Sequence, residues 1–148
     1  MLRPGAGAIL GVAAHPGRTH QSTDVVAIDT TDAVLVHGAI GAGDQVLRCL
    51  VQLSSTRLLL AYNADGVRQW LLAEAGRRDI DPGHLEDLDR WGCIMRARSA
   101  ALGTPDHLYP LGIAHDPIAA ARSALCMVRE IAEQRCRTAP PRPSLEAW

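Results

Sequence analysis

The sequence predicts an α/β domain with a mixed sheet and its helices late in the chain, on three observations. Two apolar, β-branched runs either side of Thr31-Asp32 form a hairpin, 25–29 and 33–40, so part of the sheet is antiparallel. A helical pattern then leads to another short apolar run, 58–61, which favours a parallel crossover onto the same sheet. Everything downstream has helical spacing and helix-terminating signals, with no further hairpin.

In chain order, Ala8 to Ala13 reads as a short buried strand, broken by His15-Pro16-Gly17. With Arg3 and small residues at Ala13-Ala14 it has the outline of a secretory leader. Its apolar stretch is short and glycine-rich and strand-like sequence follows, so the buried strand is the expectation. Asp44 is placed to cap a helix presenting Val46, Leu50 and Leu53 on one face. After 58–61 the chain turns over Asn63-Ala64-Asp65-Gly66 into a helix from Asp65 or Gly66 to Ala75, with Gly76 as its stop. Asp81-Pro82 opens a further helical region with Leu85, Leu88, Trp91 and Met95 as a core stripe, closed by Gly103. Asp116-Pro117 combines a capping side chain with proline at the first helical position. Ile118, Leu125, Val128 and Ala132 are the expected core stripe of that last helix. Residues 1–134 are expected to form a single domain, and 135–148 a flexible, proline-rich, basic tail.

Composition narrows the function. The 148 residues are 47% hydrophobic and 21% charged with a formal net charge of −1, a globular chain without a field that draws in nucleic acid or anionic lipid. Aromatic residues are 3% and phenylalanine is absent, which leaves little for base stacking. Cys49, Cys93, Cys126 and Cys136 form no C-x-x-C pair and read as reduced thiols of a cytoplasmic protein. No apolar run approaches the roughly 20 residues of a membrane span.

Four segments, in order, resemble the DnaQ-like (DEDDh) 3′–5′ exonucleases of the ribonuclease H-like superfamily. AILGVAA followed by DVVAIDTTDAVLVHG stands in the place of the family's D-x-E strand and hairpin. LLLAYNADGVRQWLLAEAG is similar to its Y/H-N-A-x-F-D segment, and WGCIMRAR to its W-x-C-T-M helix. AHDPIAAARSAL is similar to its A-H-x-A-x-x-D-A helix, and the likeness covers residues 7–134. It implies an exonuclease fold: a mixed sheet with an antiparallel hairpin, flanked by helices. The chain is trimmed relative to the family between the hairpin and the first helix, and again before His115.

The resemblance also implies a chemistry. Phosphodiester hydrolysis with two divalent cations needs carboxylates converging on hard ions and a histidine to activate water. Carried over residue by residue, the acids of the first strand fall on Gly11 and Ala13, the acid after the Asn turn on Val67, and that of the last helix on Ala120. His115 alone keeps its residue type. With all four carboxylates replaced by small or apolar residues, nothing is left at these positions to hold Mg²⁺ or Mn²⁺. In an alternative register VVAIDTTD becomes the first strand, which restores one acid, Asp29, with Thr31 in the second position.

The expectation is therefore an exonuclease-fold domain without metal or other cofactor, serving as a binding or regulatory module. Its partner would be single-stranded nucleic acid, another protein or a second copy of the chain. The competing reading is an active, metal-dependent exonuclease with Asp29, Asp65, His115 and Asp116 as relocated ligands. For Asp65 the plainer role is a helix cap. Two further metal groupings stand beside these: His15 and His20 with Asp29 or Asp32, and Asp106, His107 and Asp116 near His115. Arg96, Arg98, Arg122, Arg129, Arg135 and Arg137 form a phosphate-binding patch only if the last helices share a face. AIDTTDAVLV also resembles the first strand of actin-like nucleotide-binding folds, but no phosphate-binding glycine loop follows it.

Overall fold

A computed structural model describes residues 7–13, 23–41, 43–107 and 116–138. Its five strands are β1 (Gly7–Ala13), β2 (Thr23–Asp29), β3 (Val34–Ile40), β4 (Leu58–Ala61) and β5 (Trp91–Cys93). The helices are α1 (Gln45–Ser54), α2 (Ala64–Arg77), α3 (Ile94–Ala101) and α4 (Pro117–Thr138).

The strands form one sheet in the order β3-β2-β1-β4-β5. β1 and β3 pair antiparallel with β2, while β4 runs parallel to both β1 and β5. This mixed order, with helices on both faces, is a ribonuclease H-like topology, as the sequence predicts. β1 and β2 read as continuous apolar runs because both of their faces are covered. Ile9, Val26, Ala27 and Ile28 are fully buried.

Asp29 organises the hairpin turn. Its Oδ1 accepts the Thr31 amide (2.8 Å), the Thr31 hydroxyl (2.6 Å) and the Ala33 amide (3.0 Å). These bonds, the Thr31 hydroxyl first, hold its carboxyl below the ordinary value of 3.8. Asp32, at φ 71°, turns the chain back.

One face of the sheet packs on α1 and α2. Leu10, Val25, Ala27, Leu59 and Ala61 meet Leu47, Leu50, Leu71, Ala75, Ile80 and Leu85. On the other face Ile9, Val26, Ile28, Leu60 and Tyr62 meet Ile94 of α3 and Ala121, Ala124 and Leu125 of α4. Among the described residues no helix is long and apolar enough to cross a membrane. Cys49, Cys93 and Cys126 are free thiols.

Several expectations are corrected. Asp44 occupies the cap position of α1 without a side-chain cap bond; its carboxylate instead pairs with Arg78 at 3.0 Å. Gly76 does not end α2. The helix closes two residues later in a Schellman turn with Asp79 at φ 54°, and the Ile80 amide donates to the Ala75 carbonyl at 2.9 Å. Buried Ile80 supplies the apolar contact that such turns use.

The region after Asp81-Pro82 is not one helix. It comprises two short 3-10 segments, Gly83–Glu86 and Leu88–Arg90, then β5, then α3. WGC is thus an edge strand, anchored where the Trp91 indole donates to the Leu85 carbonyl at 3.0 Å. Leu88 is exposed rather than core. Gly103, at φ 75°, does close α3. On α4, Ile118, Leu125 and Val128 pack on the core as expected, but Ala132 is exposed, and Ala120, Ala121 and Ala124 are buried as well. That helix also continues to Thr138, past the expected start of the tail.

Candidate functional site: a cavity at the β1–β4–α2–α4 corner

Parallel pairing sets Leu10 beside Ala61, so the ends of β1 and β4 leave the sheet together. Beyond β4 the chain passes through Tyr62 and Asn63 into α2. Asn63 is the N-cap: its Oδ1 accepts the Gly66 amide at 3.3 Å and its carbonyl accepts the Val67 amide at 3.1 Å. The Tyr62 carbonyl accepts the Met95 amide at 2.9 Å, tying the corner to the start of α3. Val67 is thereby held at the end of the first turn of α2, facing β1.

From the opposite side α4 delivers Ala120 and Ala124. Asp116 caps that helix, its Oδ1 accepting the Ile118 amide at 3.0 Å and its carbonyl the Ala120 amide at 3.1 Å. A cavity of about 170 Å³ remains between these elements, lined by Leu10, Gly11, Val12, Tyr62, Asn63, Val67, Ala120 and Ala124. Three positions matched to family carboxylates, Gly11, Val67 and Ala120, therefore line one space. Ala13 lies at the end of β1 with its side chain outside the described residues, as is the whole of His115.

The approach of α4 to β1 is very close. A Cβ added to Gly11 runs into the Pro117 carbonyl oxygen and falls 2.7 Å from the Ala121 nitrogen and 2.9 Å from the Ala121 Cβ. Ala121 is completely buried in this contact. Only glycine fits at position 11 while α4 stays where it is.

The acids considered as substitutes are elsewhere or otherwise engaged. Asp29 lies opposite Ala8 on β2, whereas Gly11 lies opposite Val26. That is three residues along the strand, about 10 Å. β1 lies at the centre of the sheet, between β2 and β4. Asp65 is not the cap of α2. It sits in the first helical turn and pairs with Arg96 at 2.7 Å. Asp116 is a capping residue. No group of three or more His, Cys, Asp or Glu side chains with metal-binding geometry occurs among the described residues. His15 and His20 fall outside them. The His107 carbonyl accepts the Ser99 hydroxyl at 2.6 Å.

The arginines do not form one patch. Arg122 pairs with Asp32 at 3.1 Å and Arg129 donates to the Thr30 carbonyl at 3.0 Å, so both strap α4 to the hairpin turn. Arg96 and Arg98 serve the other corner, and Arg98 donates to the Tyr62 hydroxyl at 3.3 Å. Arg135 and Arg137 lie in the last turn of α4. Sequence reasoning missed Tyr62, Leu10, Val12 and Ala124 as wall residues. The signal for Ala124 was present, in the small residues Ala119, Ala120, Ala121, Ser123 and Ala124 of a helix that packs on a sheet face.

No protein-family model matches the chain, and no curated protein matches it. Its place among known proteins rests on strand order and helix placement, which are those of a ribonuclease H-like α/β fold.

Proposed function

We propose that this chain is a DnaQ-like exonuclease fold that has lost its two-metal site and works as a non-catalytic binding or regulatory module. The observation that carries the reading is the contact of Gly11 with α4. Two cations bridged by carboxylates need space and oxygen ligands between the first strand and the last helix. Here the α4 backbone and the Ala121 methyl group crowd position 11 itself, and Gly11, Val67 and Ala120 offer no oxygen ligand from their side chains. Losing the acids and closing the helix onto the strand support each other. Removing mutually repelling carboxylates permits the apolar contact, and the contact leaves no room for a side chain at position 11. A domain released from catalysis gains stability this way, because active sites usually cost it.

A protein partner is favoured over single-stranded nucleic acid. Arg96, Arg98, Arg122 and Arg129 are each engaged with a neighbouring residue, and so do not form a free stripe for phosphates.

The test is a Mn²⁺ titration followed by electron paramagnetic resonance, alongside incubation with end-labelled single-stranded DNA and RNA. The expected outcome is no saturable metal binding at millimolar Mn²⁺ and no nucleotide release. Metal-dependent digestion that disappears in His115→Ala overturns the reading and supports an active nuclease with relocated ligands.

A further inference from the structure

The vacated corner is not filled. Its cavity of about 170 Å³ has walls of Leu10, Val12, Val67, Ala120 and Ala124 with the Tyr62 ring, and no charged side chain among the described lining residues. The two polar side chains in the wall already have partners: Asn63 Oδ1 accepts from Gly66, and the Tyr62 hydroxyl accepts from Arg98. At the nearby helix starts, Asn63 accepts the Gly66 amide of α2 and Asp116 the Ile118 amide of α4. Such a wall has little to offer an anion, a cation or a chain of ordered waters.

We propose that this cavity binds one small neutral apolar molecule, of the size of a single six-membered ring or a short branched hydrocarbon. The inference rests on the reading that the corner holds no metal. An apolar cavity of about 150 Å³ takes up benzene or xenon, and the similar volume of this half-open pocket sets the size of the occupant. Larger drug-like or cofactor-like ligands need about 300 Å³ or more. A free small molecule suits the site better than a protein side chain. A stable protein partner covers about 800 Å² on each side, with an apolar centre around its anchor. The large exposed hydrophobic residues among those described, Val34, Leu88 and Leu102, are not part of the cavity wall. The ion pair Asp65–Arg96 instead joins α2 to α3, and Asp32–Arg122 joins the hairpin turn to α4.

The experiment is methyl NMR on the full chain, with benzene as the probe and benzoate as its charged counterpart. Saturable shifts confined to the methyls of Leu10, Val12, Val67, Ala120 and Ala124 are expected with benzene, and binding roughly tenfold weaker or worse with benzoate. Filling the cavity with Ala120→Leu, or with Val67→Leu where the first variant misfolds, is expected to abolish the shifts while the protein stays folded. Three results overturn the proposal. They are the absence of a saturable shift up to the solubility limit of benzene, shifts spread over surface methyls without saturation, and undiminished binding in a folded filled variant. Adding Mn²⁺ to the same samples separates the two readings. Paramagnetic broadening of these methyls sinks the metal-free reading itself. No broadening together with no benzene binding sinks only the apolar-ligand proposal.

Discussion

The two faces of the sheet are built differently. On the α1–α2 face the contact is leucine on leucine: Leu47, Leu50, Leu59, Leu71 and Leu85 are all completely buried. On the α4 face the helix meets β1 through Ala121, Ala124 and Gly11, so backbone approaches backbone and the spacer is a methyl group or nothing. The first face is filled by side-chain volume, so the cost of a change there follows the volume removed. The second is set by a distance, and anything larger than hydrogen at position 11 must move the helix. The candidate site lies on the second face, where its shape depends most on single atoms.

Substitutions that treat the faces unequally sharpen this contrast. The largest effect is expected for Leu71→Ala, which leaves a void beneath α2 and costs about 3 kcal/mol in a urea unfolding curve. The protein is expected to keep its fold, with hydrogen exchange loosened around α2. Gly11→Ala adds only one methyl group yet is expected to cost about 2 kcal/mol by overpacking. Its signature is faster amide exchange in the first turns of α4, with α1 and α2 unchanged. Equal protection in wild type and Gly11→Ala would falsify the close approach of α4 to β1.

The smallest effect concerns the hairpin turn, away from both faces. Asp29 has its folded pKa depressed by the bonds from Thr31 and Ala33, so its contribution to stability is fully present above the unfolded value of 3.8. It is lost as pH falls through the lower folded value. Asp29→Asn is therefore expected to lower the thermal midpoint at pH 7, with the difference from wild type shrinking below about pH 4. A difference that stays constant from pH 7 to pH 2 rules out the carboxylate as the organiser of the turn.

Legibility in the sequence followed the same division. The hairpin, β4 and the start of α4 were readable because each rests on local signals: β-branched runs around Thr31-Asp32, and a cap with proline at Asp116-Pro117. The turn at Asn63 was readable too, although the cap was misplaced by two residues. Asp65 and Asn63 are both good cap formers, and only their neighbours separate them: Gly66 donates to one and Arg96 to the other. Three-residue β5 was unreadable because it is too short to show a period. Leu85, Trp91 and Met95 recur at helical spacing while lying in three different elements. The alanines of α4 were passed over in favour of larger residues, since a pattern of hydrophobicity ranks alanine low even where close packing demands it.

By itself, then, the amino-acid sequence determined the order of the major strands and helices, and that positions 11, 13, 67 and 120 carry small or apolar residues. Those are properties of single positions and of segments a few residues long. Only the tertiary structure decided that Gly11, Val67 and Ala120 share one cavity, that Asp29 is remote from it, and that α4 rests on β1 at Gly11. Such facts depend on distances between segments about a hundred residues apart, which parallel pairing of β1 with β4 and the docking of α4 establish together.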